Sequence, residues 1–164
     1  MTVKPTLCIA ILTLNEARRI EQCIDSARFA DQIVVVDSGS SDGTVALASA
    51  MGAEVHTYAD WQGFGEQRNR LLKHCRADYV FFLDADEVIP PELEKEITDI
   101  VRSGANGVWE VLWNQVAYGK PLTRMKSTGG IPRLFRADNL IGYEGLVHEA
   151  AVLKDKTVPV YKLK

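Results

Sequence analysis

No apolar run in the chain approaches the ~20 residues of a membrane span, and the short segment from Met1 to Pro5 lacks the layout of a signal peptide. No stripe of lysine and arginine stands out, and the net charge is -3, which argues against nucleic acid as the main partner. The three cysteines, Cys8, Cys23 and Cys75, are scattered and have no metal-type spacing, so they read as core thiols of a reducing compartment. No Gly-x-Gly-x-x-Gly follows the first apolar run and no Walker loop is present, which disfavours a dinucleotide or P-loop NTP site. Interdomain linkers, internal repeats and low-complexity tracts are also missing. The 164 residues therefore fit one domain, large enough to bury a proper core. The 46% hydrophobic and 25% charged residues are ordinary for a soluble globular protein.

What is present centres on Tyr79-Val80-Phe81-Phe82-Leu83-Asp84-Ala85-Asp86-Glu87. An apolar run without a polar break reads as a strand buried on both faces, as in a parallel sheet under helices. In open α/β sheets the ligand crevice lies outside the carboxyl ends of the strands, so Asp84 and Asp86 fall on that edge. Carboxylates this close repel unless something positive joins them. A divalent cation, Mg²⁺ or Mn²⁺, held by one or two carboxylates and substrate phosphates, is the economical solution. The alternative is a solvated acidic turn leading into the helix that starts at Pro90-Pro91-Glu92.

The rest of the first half alternates strand and helix. Strands are expected at Leu7 to Leu12, Gln32 to Val36 and Glu54 to Tyr58. Helices are expected at Glu16 to Ala30 with Asn15 as N-cap, at Thr44 to Met51 capped by Ser41 or Asp42, at Glu66 to Cys75 and at Pro91 to Arg102. This alternation predicts a parallel sheet with right-handed crossovers. After Ser103 the pattern changes. Val108 to Tyr118 reads as one long strand, turned at Gly119-Lys120-Pro121. A polar loop follows from Thr123 to Pro132, and short strands are expected at Ile131 to Phe135, Ile141 to Tyr143 and Ala151 to Leu153. The second half thus extends the same sheet with antiparallel strands.

Four polar clusters fall at expected strand ends on one side of the sheet: Thr13 to Glu16, Asp37 to Thr44, Gln67 to Asn69, and Asp84 to Glu87. Each alone has a bland reading, as a cap, a turn or a solvated charge. Placed together they fit a nucleotide site. A carboxylate ending the second strand accepts hydrogen bonds from a base imide or ribose hydroxyls, and an arginine at a helix start neutralises a diphosphate.

The motifs Thr13-Leu14-Asn15-Glu16, Val34-Val35-Val36-Asp37-Ser38-Gly39-Ser40-Ser41-Asp42-Gly43-Thr44, Gln67-Arg68-Asn69 and Leu83-Asp84-Ala85-Asp86-Glu87, in this order, resemble the family 2 glycosyltransferases of the GT-A fold. With Arg133-Leu134-Phe135-Arg136 and Val147-His148-Glu149, the wording is most similar to the bacterial lipopolysaccharide core β-1,4-glucosyltransferases. The resemblance implies a Rossmann-like α/β fold of GT-A type, its mostly parallel sheet flanked by helices. It implies a nucleotide-binding half over residues 1–103 and an acceptor-side half over 104–164. It implies an inverting hexosyltransferase that moves glucose from a UDP-sugar to a saccharide or lipid-linked saccharide acceptor such as lipopolysaccharide core. The enzyme would work in the cytoplasm, peripheral to the inner face of the membrane. Thr13, Asn15 and Glu16 would line the nucleotide pocket, Asp37 would meet uracil, Arg68 the base or diphosphate, and Asp84 the ribose or donor sugar. Asp86 would hold the Mg²⁺ or Mn²⁺, with His148 near it, and Glu149 would be the general base, with Glu87 and Glu144 as rivals. Arg124, Lys126 and Arg133 would flank a loop able to close over a phosphate. Relatives of this kind continue well past the position of Lys164 with helices completing the acceptor side. The chain is therefore expected to be a short or truncated member, or one completed by a partner chain. Two further readings stay open: a non-catalytic nucleotide-sugar-binding module, and a nucleotidyltransferase. The second normally carries a glycine-rich basic loop after its first strand, and Thr13 to Arg19 is not one.

Overall fold

A computed structural model describes residues 3–112, 116–117, 120–121, 130–145 and 149–163. Four helices, α1 (Ile20–Ser26), α2 (Thr44–Ala50), α3 (Phe64–His74) and α4 (Pro91–Ser103), alternate with the strands β1 (Leu7–Thr13), β2 (Gln32–Asp37), β3 (Glu54–Thr57) and β4 (Tyr79–Asp84). The second half adds β5 (Val108–Val111), β6 (Val116–Ala117), β7 (Lys120–Pro121), β8 (Ile131–Arg136), β9 (Leu140–Glu144), β10 (Ala150–Leu153) and β11 (Val160–Leu163). One seven-stranded sheet runs β11-β5-β8-β4-β1-β2-β3. Its β4-β1-β2-β3 portion is parallel, β8 lies antiparallel between β4 and β5, and β11 pairs parallel with β5.

The uninterrupted apolar runs of β1 and β4 are explained by cover on both faces. Ile9, Ile11, Phe81 and Leu83 pack with Ile20 and Ile24 of α1 and with Leu93, Ile97 and Val101 of α4. The alternate residues Cys8, Ala10, Val80 and Phe82 pack with Leu71 of α3 and with Leu140, Tyr143, Ala151 and Leu153 of the β9–β10 hairpin. Each such aliphatic or aromatic side chain contributes about 1.5–3 kcal/mol on burial. The register then fixes the site edge, because Thr13 lies beside Asp37 and Leu12 beside Asp84. Three strands end together, so their polar residues emerge at one level.

Several expected boundaries move. α1 starts at Ile20, after a turn in which Glu16 O accepts hydrogen bonds from Arg19 N (3.0 Å) and Ile20 N (2.8 Å). Asn15 does not cap it: its φ is 51°, a left-handed conformation that asparagine tolerates, and its side chain accepts from Ser41 N at 2.8 Å instead. Asp42 does meet the start of α2, accepting from Thr44 N at 3.0 Å. The single strand expected from Val108 to Tyr118 is broken. β5 ends at Val111 after a register shift between Trp109 and Glu110, and β6 pairs with β7 as a separate hairpin, so Lys120–Pro121 is strand where a turn was expected. β11 was not expected at all. Among the described residues no helix is long and apolar enough to cross a membrane.

Candidate nucleotide and acid site

At the ends of β1 and β2 two loops are laced together. Asn15 N donates to Ser40 Oγ (2.8 Å), Glu16 N to Thr44 Oγ1 (2.9 Å) and Ala17 N to Asp42 Oδ2 (3.3 Å). Hydrogen bonds from Thr44, its hydroxyl first, hold the Asp42 carboxyl below the usual range. Asp37 is fully buried, and its Oδ2 accepts from Gly39 N (3.0 Å) and Ser40 N (2.8 Å) while Oδ1 accepts from Ser40 Oγ. Asp37 thus holds the turn that follows it. Gly39 sits at φ 102°, and a Cβ there would stand 3.2 Å from Ala59 Cβ, so the turn needs glycine. Beside this lacing the Thr13 hydroxyl is buried and without a hydrogen-bond partner among the described residues. Such a group costs about 1–3 kcal/mol.

α3 brings three consecutive side chains to three places, since helical neighbours point about 100° apart. Gln67, fully buried, donates to Ser38 Oγ (2.8 Å) and Tyr58 O (3.3 Å). Arg68 donates from Nε to Glu149 Oε1 (3.1 Å), and its Nη2 stands 3.6 Å from Asp84 Oδ1. Its guanidinium lies 5.7 Å from the ring centroids of both Phe82 and Tyr143. Asn69 clamps β9, donating to Tyr143 O (3.0 Å) and accepting from Tyr143 N (2.7 Å). Gly65, at the start of the helix, lets the backbone of Gly145 approach: a Cβ would lie 2.8 Å from Gly145 O and 3.6 Å from Glu149 Cβ.

The acids meet at the head of β4. One oxygen from each of Asp84, Asp86 and Glu87 lies within 4.8 Å of the others. Their side chains differ in access: Asp86 is 51% exposed, Asp84 37% and Glu87 10%. Arg133 reaches in from β8. Its Nη1 donates to Phe82 O (3.1 Å) and its Nη2 to Glu87 Oε1 (3.2 Å), with Asp84 Oδ2 at 3.6 Å. Asp84 therefore stands between two buried guanidiniums. Burial pushes the Glu87 carboxyl up to about 9, with Asp84 adding to the shift and Arg133 opposing it. An all-oxygen set of this size suits a hard cation such as Mg²⁺ or Mn²⁺. Asp86 is the carboxylate with most room, its nearest ion pair being Arg19 Nη1 at 3.9 Å. A second metal-capable group, Glu54, His56 and His74, lies far along α3, but its carboxylate is already paired with Arg76 at 3.0 Å.

Thr13, Asn15, Glu16, Asp37, Arg68, Asp84, Asp86 and Glu149 thus fall on one edge of one sheet, as the strand-end rule requires. His148, Arg124 and Lys126 lie outside the described residues. Glu144 is exposed on β9. Arg133 was expected beside a loop; it is buried on β8, because the antiparallel pairing of β8 with β4 sets it against the acids. The Arg133-Leu134-Phe135-Arg136 wording flagged the segment, but nothing local announced the partner.

Comparison with known proteins gives the family and the fold. The family model of glycosyl transferase family 2 matches residues 8–144. The chain belongs to that family. An uncharacterized glycosyltransferase of Rickettsia bellii is 36% identical over 130 residues, covering 79% of this chain and 42% of the relative. The lipopolysaccharide core biosynthesis glycosyltransferase LpsC of Rhizobium meliloti is 28% identical over 159 residues, 93% of this chain and 59% of LpsC. The chain spans less than two thirds of the length of these curated relatives. Among solved structures, S. aureus TarS 1-349 in complex with UDP-GlcNAc superposes with a TM-score of 0.67 at 18% identity, over 97% of this chain and 59% of TarS 1-349. Glucosyl-3-phosphoglycerate synthase from Mycobacterium tuberculosis, in complex with Mn²⁺, UDP and glucosyl-3-phosphoglycerate, gives 0.56 at 29% identity, over 65% of this chain and 43% of that one. The GT-A fold and glycosyltransferase membership are therefore established for a chain whose sheet edge carries the acids just described.

Proposed function

We propose that the chain is a metal-assisted, inverting hexosyltransferase that takes glucose from UDP-glucose and passes it to a saccharide acceptor. The observation that carries this reading is the head of β4, where Asp84 stands between buried Arg68 and Arg133, Asp86 lies beside Asp84, and Glu149 pairs with Arg68. Residues 1–103 would supply the nucleotide side and 104–164 the acceptor side. The uracil would lie against the 38–43 turn. Asp37, fully buried with both carboxylate oxygens engaged by the turn, would act on the uracil through the turn it shapes. Thr13, with its spare hydroxyl, and Asn15 and Glu16 would line the same pocket.

Asp86 would hold the divalent cation together with the diphosphate, and His148 would stand close by. The cation would neutralise charge on the departing nucleoside diphosphate. Arg68 is set to add positive potential on the same side, and Asp84 to orient the ribose or donor sugar. Glu149, steered by its hydrogen bond to Arg68, would take the proton from the acceptor hydroxyl. Glu87 is turned onto Arg133 and nearly closed off from solvent, which leaves Glu149 the better placed base. One carboxylate facing the anomeric carbon opposite the leaving group gives inversion in a single displacement.

The Mycobacterium tuberculosis synthase, in complex with Mn²⁺ and UDP, supports the donor and metal parts of this reading. LpsC, a lipopolysaccharide core biosynthesis glycosyltransferase, motivates a lipopolysaccharide-core or lipid-linked acceptor, which would be met at the cytoplasmic face of the membrane. Calorimetry of UDP binding with Mn²⁺ or with EDTA, on the natural chain and on Asp86→Asn, tests it. Metal-dependent binding that Asp86→Asn abolishes is expected. No binding of UDP under either condition would overturn the nucleotide assignment. Binding without sugar transfer to any core saccharide would leave a nucleotide-sugar-binding module.

A further inference from the structure

At the end of the sheet opposite the acids, two cysteines far apart in sequence meet. Cys8 lies in β1, fully buried, and Cys75 follows the last residue of α3, half-buried. Their Sγ atoms are 3.1 Å apart across a sequence separation of 67 residues, and both thiols are free. That is closer than ordinary contact between sulfurs and about 1 Å beyond the ~2.05 Å of a disulfide. Cys23 is set apart, with its Sγ 3.5 Å from Asp84 O in the core cluster on the other face of the sheet.

We propose that Cys8 and Cys75 form a reversible disulfide, a modification site with hydroperoxides as the oxidising class and dithiols as the reducing class. The chemistry divides by access. Cys75, the more exposed sulfur, attacks the hydroperoxide: the O–O bond breaks, Cys75 becomes a sulfenic acid, and the corresponding alcohol leaves, which for hydrogen peroxide is water. Cys8 then attacks the sulfenyl sulfur, loses its proton and expels water as the S–S bond forms. Two thiols give up two electrons and the peroxide accepts them, so the step balances. In the reduced protein the contact with Cys75, then burial, pushes the Cys8 thiol far above the usual thiol range. Cys8 therefore suits the resolving role and not the first attack.

The bond has a structural consequence. It closes a ring from β1 to the C-terminal end of α3, the helix whose other end presents Gln67, Arg68 and Asn69. Pinning that end restrains the unfolded chain over a long loop, so the oxidised form should melt at a higher temperature than the reduced form.

The test uses the purified full chain, hydrogen peroxide and a thiol count in denaturant. The count should fall from three to one, and the intact mass should drop by two hydrogens. One linked peptide pair should contain Cys8 and Cys75, and dithiothreitol should restore all three thiols. Cys75→Ala, at the half-exposed position, should keep both remaining thiols under the same treatment. Cys23→Ser should lose both of its own. An unchanged count, oxygen added without a link, or a link through Cys23 or between chains would overturn the proposal. None of these readouts depends on UDP binding, so failure of the transferase reading would leave this result standing, and the reverse.

Discussion

At the scale of single residues, the contact between Gly142 and Asn69 is the tightest constraint near the site. Asn69 is fixed at both ends of its amide by Tyr143, and a Cβ at Gly142 would lie 2.7 Å from Asn69 Oδ1. The amide cannot retreat without releasing Tyr143 N. Gly142→Ala should therefore cost about 1–3 kcal/mol in urea denaturation, the usual range for overpacking. Asn69→Ala alone loses two hydrogen bonds and leaves Tyr143 N–H and C=O short of partners, for about 1–3 kcal/mol. In the double variant the clash is gone, so the two costs should fall well short of additive. Arg133 is the second residue of this kind. It is 5% exposed and donates to Phe82 O and Glu87 Oε1, so Arg133→Met leaves these buried acceptors without that partner and should destabilise by about 1–3 kcal/mol.

At the scale of elements, α3 is the piece that assembles the site, and it also separates what local sequence encodes from what only the tertiary structure reveals. Its helical character and the grouping of Gln67-Arg68-Asn69 at a strand-end edge are readable from pattern. So are β1, β2 and β4, because unbroken apolar runs ending in Thr13, Asp37 and Asp84 leave few other readings. The partners are not readable. That Gln67 ties to Ser38, or that Arg68 shares Glu149 with no help from sequence proximity, depends on pairing across long loops. Asn15 shows the same limit: asparagine before a helix is a good cap, but here a tertiary hydrogen bond to Ser41 N outcompetes the local one. The long strand expected from Val108 fails because apolar alternation in the sequence continues past Val111, where β5 ends two residues after its register shift. Gln67→Leu isolates the role of α3. It keeps the volume and the helix but removes the hydrogen bond that ties Ser38 to α3, together with the acceptor that Arg70 Nη1 uses, so UDP affinity should fall about tenfold, the worth of one good hydrogen bond. Calorimetry reads this directly, and an unchanged affinity would detach that turn from nucleotide binding.

At the scale of the whole molecule, stability should change with pH through groups at both ends of the sheet, with opposite signs. At the far end Glu54 is drawn down to about 2 by hydrogen bonds from Arg76, then His56. A carboxylate lowered in the folded state contributes stability above its ordinary value of 4.5, and this is lost as pH falls toward about 2. His74, stacked on His56 at 3.5 Å, is lowered from 6.5 by burial first and by His56 next. The unfolded chain takes that proton more readily, so stability is full above 6.5 and declines as pH drops below it. Glu87 runs the other way. Raised from 4.5 to about 9, chiefly by burial, its contribution is fully present below 4.5 and is lost as pH rises through about 9. Melting temperature against pH should therefore form a dome with separable limbs. His74→Gln should flatten the first fall below 6.5 and leave the alkaline side unchanged. Glu87→Gln, which keeps the neutral shape that the buried site favours, should flatten the alkaline limb alone. A profile in which His74→Gln moved the alkaline limb would contradict the assignment of the two limbs to opposite ends of the sheet.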